Sequence, residues 1–214
     1  MNRLVSRTAL PVLGLVGALS LTACSNAEPG RGTNEDHTRA VRISVSANSP
    51  EQQVLGELYS QVLQETGRST SLIIEDTPRE GNRLELLYAA ETDLIISCTG
   101  LMLHELDPER AEELSGTIDP HETHREFMGA LPAHLTAPDP SPAQGCSVDL
   151  LEQQVPDLPQ SIIPVYRRDL FDRAELKAIS SVTYTITDEE LEGLIETAGN
   201  RSSVSAAVEE WLGY

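Results

Sequence analysis

The chain has 214 residues and a formal net charge of −19, with 39% hydrophobic and only 4% aromatic residues. That length suits one large domain or two small lobes, and the hydrophobic content is compatible with a core. The strong negative charge disfavours nucleic acids and anionic lipid surfaces as partners, because both would repel the chain.

Residues 1–23 have the three parts of a secretory signal peptide. Arg3 and Arg7 supply a positive start, residues 9–21 form an apolar run that is too short to span a bilayer, and small residues precede Cys24. The ending resembles the bacterial lipobox, in which the cysteine is acylated and becomes the new N-terminus. We therefore expect an exported chain whose lipid on Cys24 holds it at the outer face of the cell membrane. The alternative is an ordinary signal peptide with a chance cysteine.

Two cysteines remain if Cys24 carries a lipid. Cys98 and Cys146 would then be an even pair in an oxidising compartment, which predicts a disulfide between them. Such a bond would contribute roughly 3–4 kcal/mol by the loop-entropy relation. Two buried free thiols are the alternative. Neither cysteine belongs to a Cys-x-x-Cys pair, which disfavours a redox or metal role.

The mature chain begins with a polar stretch and then shows regular hydrophobic patterns. Residues 24–40 combine proline, glycine and mixed charges without an apolar period, which predicts a flexible tether. From Val41 to Ala47 apolar and polar residues alternate as in a strand, and Ser49 with Pro50 begins a helix. In chain order we then predict a strand over 71–75, a helix over 83–90, a strand over 93–97, helices over 101–114 and 120–131, a loop over 132–145, a strand over 158–166, a short helical or irregular stretch over 175–180, and helices that begin at Thr187 and at Ser202 or Ser203.

The alternation of strands and helices over residues 41–97 is typical of a parallel sheet with right-handed crossovers. Ligands bind such sheets at the carboxyl ends of the strands. Those ends are predicted at Ser46–Ser49 after the first strand, at Asp76 and Thr77 after the second, and at Cys98–Gly100 after the third. A binding site is therefore expected where these ends meet.

Five segments of the chain carry a family resemblance: Glu51–Tyr59, Asp93–Leu101, Ile163–Arg167, Ile179–Leu191 and Ala207–Leu212. They resemble parts of the substrate-binding proteins that serve ABC importers of glycine betaine, choline and related osmoprotectants. The resemblance covers most of residues 41–106 and 160–213. It implies the two-lobed, type II periplasmic binding fold, with a transporter permease and a small-molecule solute as partners.

The resemblance assigns residues 41–100 and 167–214 to a first α/β lobe and residues 101–166 to a second lobe. This second lobe is reduced, because the middle stretch is shorter than the second lobe of the family. A ligand would lie in a cleft at the strand ends of the first lobe. The candidate ligand-binding residues are Ser46, Asn48, Thr99, Gly100 and, at the crossing between lobes, Tyr166. Turn capping or packing is the alternative role of each.

Aromatic residues are missing where the family holds its ligand. The family surrounds a quaternary ammonium with aromatic faces, which attract the cation. Here Ser49, Ile95 and Cys98 stand at positions that are often aromatic in the family. The resemblance favours a lipid-anchored, extracytoplasmic solute-binding protein of an ABC importer, with a quaternary-ammonium osmoprotectant as the expected ligand. The alternative is a degenerate scaffold that acts as a cell-envelope protein-interaction module without a small-molecule ligand.

Neither hypothesis involves catalysis, and no cofactor or metal is expected. His121 and His124 could place two rings near one face of a helix, but zinc usually needs three or four ligands. A charged, solvated helix is the preferred interpretation. The sequence contains no Gly-x-Ser-x-Gly elbow, His-Glu-x-x-His motif or phosphate-binding glycine loop.

Overall fold

A computed structural model describes residues 35–75, 83–146 and 154–213. The predicted signal segment, Cys24, Asp76 and Thr77 lie outside the described residues. Strands β1 to β5 span Val41–Ser46, Thr70–Glu75, Leu94–Cys98, Leu135–Thr136 and Ile162–Arg167. Helices α1 to α8 span Pro50–Glu65, Leu84–Tyr88, Thr99–Leu106, Pro108–Glu113, Pro120–Ala130, Arg173–Thr185, Asp188–Arg201 and Val204–Leu212. None of these helices combines the length and the apolar composition needed to cross a membrane.

The strands form one sheet in the order β2-β1-β3-β5-β4. β1 pairs in parallel with both β2 and β3, as predicted, whereas β5 runs antiparallel to β3 and β4. The hydrophobic pattern of β5 identified a strand but carried no information on its direction. Because β2 and β3 lie on opposite sides of β1, right-handed crossovers place α1 and α2 on opposite faces of the sheet.

Helices cover both faces of this sheet. One apolar cluster joins β1 to helices α1, α6, α7 and α8, and includes the fully buried Ile43 and Ile179. A second cluster joins β3 and β5 to helices α2, α3, α4 and α5, and includes the fully buried Phe127. Successive side chains of a strand point to opposite faces, so Ile95 belongs to the second cluster and Ile96 to the first.

Residues 101–166, predicted as a reduced second lobe, form no separate sheet within their described part. Helices α3 to α5 cover one face of the common sheet, and β4 and β5 extend that sheet. A short stretch buries a smaller fraction of its surface by itself, and here its helices bury their apolar residues against the existing sheet. The connection from β4 to β5 runs from residue 137 to residue 161, and the structure describes it at residues 137–146 and 154–161.

The last part of the predicted tether is held against the sheet. A 3-10 helix spans Glu35–His37. Asp36 accepts a hydrogen bond from Arg39 at 2.8 Å, and Arg39 donates two more to Asp93, both at 2.7 Å. The polar residues that predicted a tether here take part in an ion-pair network at the start of β3. The rest of the predicted tether, residues 24–34, lies outside the described residues.

Candidate functional site

The predicted site lies where the carboxyl ends of β1 and β3 separate. The two strands pair only over residues 43–44 and 94–95, although β1 continues to Ser46 and β3 to Cys98. Because the helices that follow β1 and β2 lie on opposite faces, this gap is the topological switch point of the sheet. Open α/β sheets bind their ligands in the crevice at such a point. We call this gap the strand-end crevice.

The guanidinium of Arg83 bridges the two sides of the strand-end crevice. Its Nη2 donates to the carbonyl oxygen of Ser44 at 2.8 Å, and its Nη1 donates to the carbonyl oxygen of Ile96 at 2.9 Å. Nη1 also donates to Oε1 of Gln52 at 2.7 Å, and the same oxygen accepts the Ser46 N–H at 3.0 Å. The carbonyl oxygens of Ser44 and Ile96 and the N–H of Ser46, which a ligand could otherwise use, are therefore engaged by side chains of the protein.

The predicted ligand residue Thr99, the first residue of α3, is fully buried. Its N–H donates to the carbonyl oxygen of Ser161 at 3.0 Å, and its hydroxyl donates to that of Pro159 at 3.0 Å. Both acceptors belong to the segment that leads into β5. Thr99 therefore holds this segment against the start of α3, so its hydroxyl is engaged within the fold.

The neighbouring Gly100, also a predicted ligand residue, is buried beneath the side chain of Gln160. Oε1 of Gln160 accepts the N–H of Leu101 at 2.9 Å. A Cβ on Gly100 would lie 2.4 Å from Nε2 of Gln160 and 2.8 Å from Cβ of Leu158. This close approach requires glycine at position 100. The first turn of a helix can bind an anion through its N–H groups, but here a side-chain amide of the protein already accepts one of them.

The predicted pair Cys98 and Cys146 forms a disulfide, with Cα atoms 6.1 Å apart. The N–H of Cys146 donates to both carboxylate oxygens of Glu51, at 3.1 and 3.3 Å, which brings the first turn of α1 to the same point. A Cβ on Gly145 would lie 2.4 Å from Oε1 of Glu51, so the chain passes close to α1. The disulfide therefore ties the β4–β5 connection to the end of β3.

Ser46 and Asn48 lie in the loop between β1 and α1, beside the strand-end crevice. The hydroxyl of Ser46 accepts the N–H of Asn48 at 3.2 Å, which is a turn-capping role. Nε2 of Gln53 donates to the carbonyl oxygen of Ala47 at 2.7 Å and fixes the same loop. Asn48 is exposed and Ser46 is half-buried. Asn48 is the predicted ligand residue that is most accessible to solvent.

The structure does not bring Tyr166 to the other predicted ligand residues. Tyr166 pairs with Leu94, at the opposite end of β3 from Cys98, because β5 returns antiparallel. Its ring packs edge-on against Phe171 with the centroids 5.0 Å apart, and only 4% of the residue is exposed. Burial raises the pKa of its hydroxyl to about 12. Tyr166 is therefore a core residue at the end of β3 that lies away from the strand-end crevice.

Sequence reasoning missed Arg83, which bridges the strand-end crevice, and Gln160, which accepts a hydrogen bond in the first turn of α3. Their partners are remote in the chain, with Leu101 lying 59 residues from Gln160 and Ser44 lying 39 residues from Arg83. No local pattern marks such contacts. A weak signal was present at Gln160, because a long amide directly before a buried apolar strand needs a hydrogen-bond partner once it is buried.

The histidine pair is not the closest group of potential metal ligands. His121 is exposed, and His124 is half-buried, with burial lowering the pKa of its ring. Within the described ranges, the group whose ligand atoms lie within 4.8 Å of one another is Glu51, Cys98 and Cys146. The two sulfurs of this group are joined in the disulfide.

Comparisons with known proteins identify the fold. No protein-family model and no curated protein matches the sequence. A crystal structure of a glycine betaine/carnitine/choline ABC transporter matches with a TM-score of 0.61 and 10% identity, over 80% of this chain and 97% of that chain. Apo YehZ from Escherichia coli matches with a TM-score of 0.61 and 12% identity, over 82% and 98%. At these identities the likeness concerns the fold alone, and it confirms the prediction of an α/β fold of the periplasmic-binding-protein type.

Proposed function

We propose that this chain is an extracytoplasmic binding protein that recognises a protein partner and does not enclose a small solute. The proposal rests on one observation, the filled strand-end crevice. Arg83 occupies the gap between β1 and β3, Gln160 occupies the start of α3, and a disulfide ties the β4–β5 connection to the end of β3. Ligand pockets are usually pre-formed, with a few polar groups directed at the ligand. In the described part of this region, Arg83 and Gln160 direct their polar groups at other parts of the chain.

The proposed location is the outer face of the cell membrane. The lipobox-like sequence before Cys24 supports a lipid anchor there. A tether between Cys24 and residue 35 would keep the folded domain near membrane proteins and raise its effective concentration beside them. The permease of an ABC importer is the partner class that the fold comparison favours, since one matched structure is named as an ABC transporter. The proposed role is non-enzymatic.

Solute binding for an ABC importer is the second candidate function, and the same fold likeness supports it. A quaternary-ammonium osmoprotectant would need aromatic faces around its cation. The best-buried rings of the described residues serve the core, since the Tyr59 hydroxyl bonds Thr183 at 2.9 Å and Phe127 belongs to the second apolar cluster. We rank this function second for that reason.

A thermal-shift series separates the two functions. Glycine betaine, choline, carnitine and proline betaine are added to the folded chain at millimolar concentration. A solute present at one hundred times its Kd would stabilise the protein by about 2.7 kcal/mol, which raises the Tm by several degrees. We expect no change in Tm with any of the four. A saturable increase with one of them would favour the importer function and contradict the first proposal.

Site-specific photo-crosslinking tests the protein partner. A crosslinker is placed singly at exposed positions, Asn48, Ile118 and Tyr184, in the full chain expressed in its own cells. We expect at least one position to give a discrete adduct with a membrane protein. The matched control is Cys24→Ser, which should weaken the adduct by releasing the chain from the membrane. Absence of an adduct at all three positions would contradict the proposal.

A further inference from the structure

Three potential metal ligands lie close together where the β4–β5 connection contacts the end of β3 and the first turn of α1. Sγ of Cys98, Sγ of Cys146 and a carboxylate oxygen of Glu51 lie within 4.8 Å of one another. Cys98 is fully buried, Cys146 is 4% exposed, and Glu51 is half-buried in the first turn of α1. The three residues come from separate parts of the chain, so the fold brings them together.

We propose that these residues form a metal site when the Cys98–Cys146 disulfide is reduced. The two thiolates and the Glu51 carboxylate would bind a thiophilic divalent cation such as Zn²⁺, with water as a fourth ligand. Sulfur and carboxylate oxygen are both accepted by zinc, and Zn–S bonds of about 2.3 Å place two sulfurs of a tetrahedral site roughly 3.8 Å apart. In the oxidised chain the two sulfurs are covalently joined, so reduction must let them move apart to this spacing, and a carboxylate oxygen of Glu51 lies within 4.8 Å of both.

The electron and proton balance of the proposed change is simple. A dithiol reductant breaks the S–S bond, supplies two electrons and two protons, and itself becomes a cyclic disulfide. Two protein thiols result. Binding of the cation then releases the two thiol protons, because the thiolate is the form that coordinates metals. The Glu51 carboxylate joins as an anion and releases no proton.

Glu51 is held at this point by a backbone contact. In the oxidised chain its carboxylate accepts the Cys146 N–H at 3.1 Å, so the contact involves the backbone and not the sulfurs. The cation would therefore join the end of β3, the first turn of α1 and the β4–β5 connection. In this way the chain has two alternative crosslinks at one place, a disulfide when oxidised and a metal ion when reduced.

Cadmium titration tests the site. The full chain is reduced with dithiothreitol, freed of the reductant under nitrogen and titrated with Cd²⁺, while thiolate-to-metal charge-transfer absorption is recorded. We expect the absorption to saturate at one equivalent per chain in the reduced protein and to be absent from the oxidised protein. Zn²⁺ should displace Cd²⁺ with loss of the absorption.

Variants assign the ligands. Glu51→Gln should weaken the affinity, measured by competition with a chelator, at least about tenfold. Glu65→Gln, an exposed residue of the same helix, should leave it unchanged. The double variant Cys98→Ser with Cys146→Ser should abolish binding. A folded, reduced chain without charge-transfer absorption, or equal affinity of Glu51→Gln and the wild type, would overturn the proposal.

Circular dichroism covers the case in which the reduced chain unfolds. Recovery of the helical signal on addition of Zn²⁺ to the reduced chain would then support the site. Failure of Zn²⁺ to restore the signal would overturn it. Neither result depends on the partner or solute of the protein, so this test and the test of the proposed function can fail separately.

Discussion

Two polar networks hold the opposite ends of the central strands. At the amino ends, the buried carboxylate of Asp93 accepts hydrogen bonds from both terminal nitrogens of Arg39 at 2.7 Å and from the N–H of Arg42 at 3.0 Å. Burial alone would raise the pKa of Asp93, but the hydrogen bonds from the two arginines outweigh it and hold the pKa well below its ordinary value. At the carboxyl ends, Arg83 bridges β1 and β3. Each network joins residues that are distant in the chain.

Asp93→Asn should lower the free energy of unfolding at pH 7 by about 3 kcal/mol, because Arg39 and Arg42 lose their anionic partner. The pKa of Asp93 is lower in the folded chain than the unfolded value of about 3.9. Its contribution is therefore complete above about pH 5 and is lost as the pH falls through the folded pKa. Urea unfolding from pH 7 to pH 3 measures this dependence.

The matched control for this prediction is Asp157→Asn, which changes an exposed carboxylate and should stay close to the wild type. The difference in the free energy of unfolding between the wild type and Asp93→Asn should decrease only below about pH 4. If this difference in the free energy of unfolding had the same size at every pH, the ion-pair network would not stabilise the fold through the charge of Asp93.

Arg83→Lys tests the network at the strand-end crevice. Lysine keeps the charge but has one nitrogen in place of the guanidinium fork whose Nη1 and Nη2 reach the two strands, so we expect a carbonyl oxygen of Ser44 or Ile96 to lose its partner. We expect the free energy of unfolding to fall by about 2 kcal/mol. Arg125→Lys is the control, because the Arg125 side chain is 65% exposed and its replacement should cost less than about 0.5 kcal/mol. Equal effects of the two substitutions in urea unfolding would contradict the role of Arg83.

At the scale of elements, local signals predicted where helices begin. Ser49 caps α1, and Thr187 begins α7 with a capping box, both as predicted. The sequence indicated only a short stretch over 175–180, whereas α6 spans Arg173–Thr185. The β-branched residues of α6 have low helix propensity, so the local sequence favours this helix only weakly. A capping box at Asp172 and packing against α1 stabilise the longer helix. The packing is a tertiary contact, which the local sequence pattern does not reveal.

The sequence allowed the location of the candidate site in the sheet to be predicted, but not which side chains occupy it. Alternating strands and helices indicated that the ends of β1 and β3 would meet, and Ser46, Asn48, Thr99 and Gly100 do lie at those ends. What fills the crevice depends on contacts between residues that are far apart in the chain, such as Gln160 with the start of α3. The hydrophobic pattern of a strand also does not tell whether it runs parallel or antiparallel to its neighbour. The position of Tyr166 in β5 could therefore not be predicted from the sequence.

Gly56→Ala tests how closely α1 packs on the sheet. A Cβ at position 56 would lie 2.4 Å from Cγ1 of Val45 and 3.2 Å from Cδ2 of Leu72. Overpacking should outweigh the better helix propensity of alanine and lower the free energy of unfolding by about 1–2 kcal/mol. Gly193→Ala in α7 meets open space, so it should raise the free energy of unfolding by up to about 1 kcal/mol. If urea unfolding showed that both substitutions change the free energy of unfolding in the same direction, the close packing of α1 on the sheet at Gly56 would be contradicted.

At the scale of the whole molecule, the described residues form one sheet with helices on both faces. A two-lobed binding protein closes its ligand between two such units. Here the β4–β5 connection reaches the end of β3, where the disulfide joins its Cys146 to Cys98. The sequence indicated the short middle segment and the cysteine pair. It could not show that the segment packs on the first sheet, because that outcome depends on which apolar surface it finds.

Removal of the disulfide should destabilise the whole fold. Cys98→Ser with Cys146→Ser opens a loop with a sequence separation of 48 residues. The expected loss is about 4 kcal/mol in the free energy of unfolding, measured with urea under oxidising conditions. Cys24→Ser is the control and should leave the free energy of unfolding unchanged. A double variant as stable as the wild type would show that the connection is held by its other contacts alone.

Amide hydrogen exchange at Leu101 tests the filled crevice most directly, because this N–H donates to the side chain of Gln160. In the wild type we predict exchange as slow as that of the core amides of β3, with no change when glycine betaine or choline is added. In Gln160→Ala the Leu101 amide should exchange about tenfold faster, in line with the loss of one hydrogen bond. Rapid exchange of Leu101 in the wild type, or protection that develops only when a solute is added, would contradict a crevice closed by the chain itself.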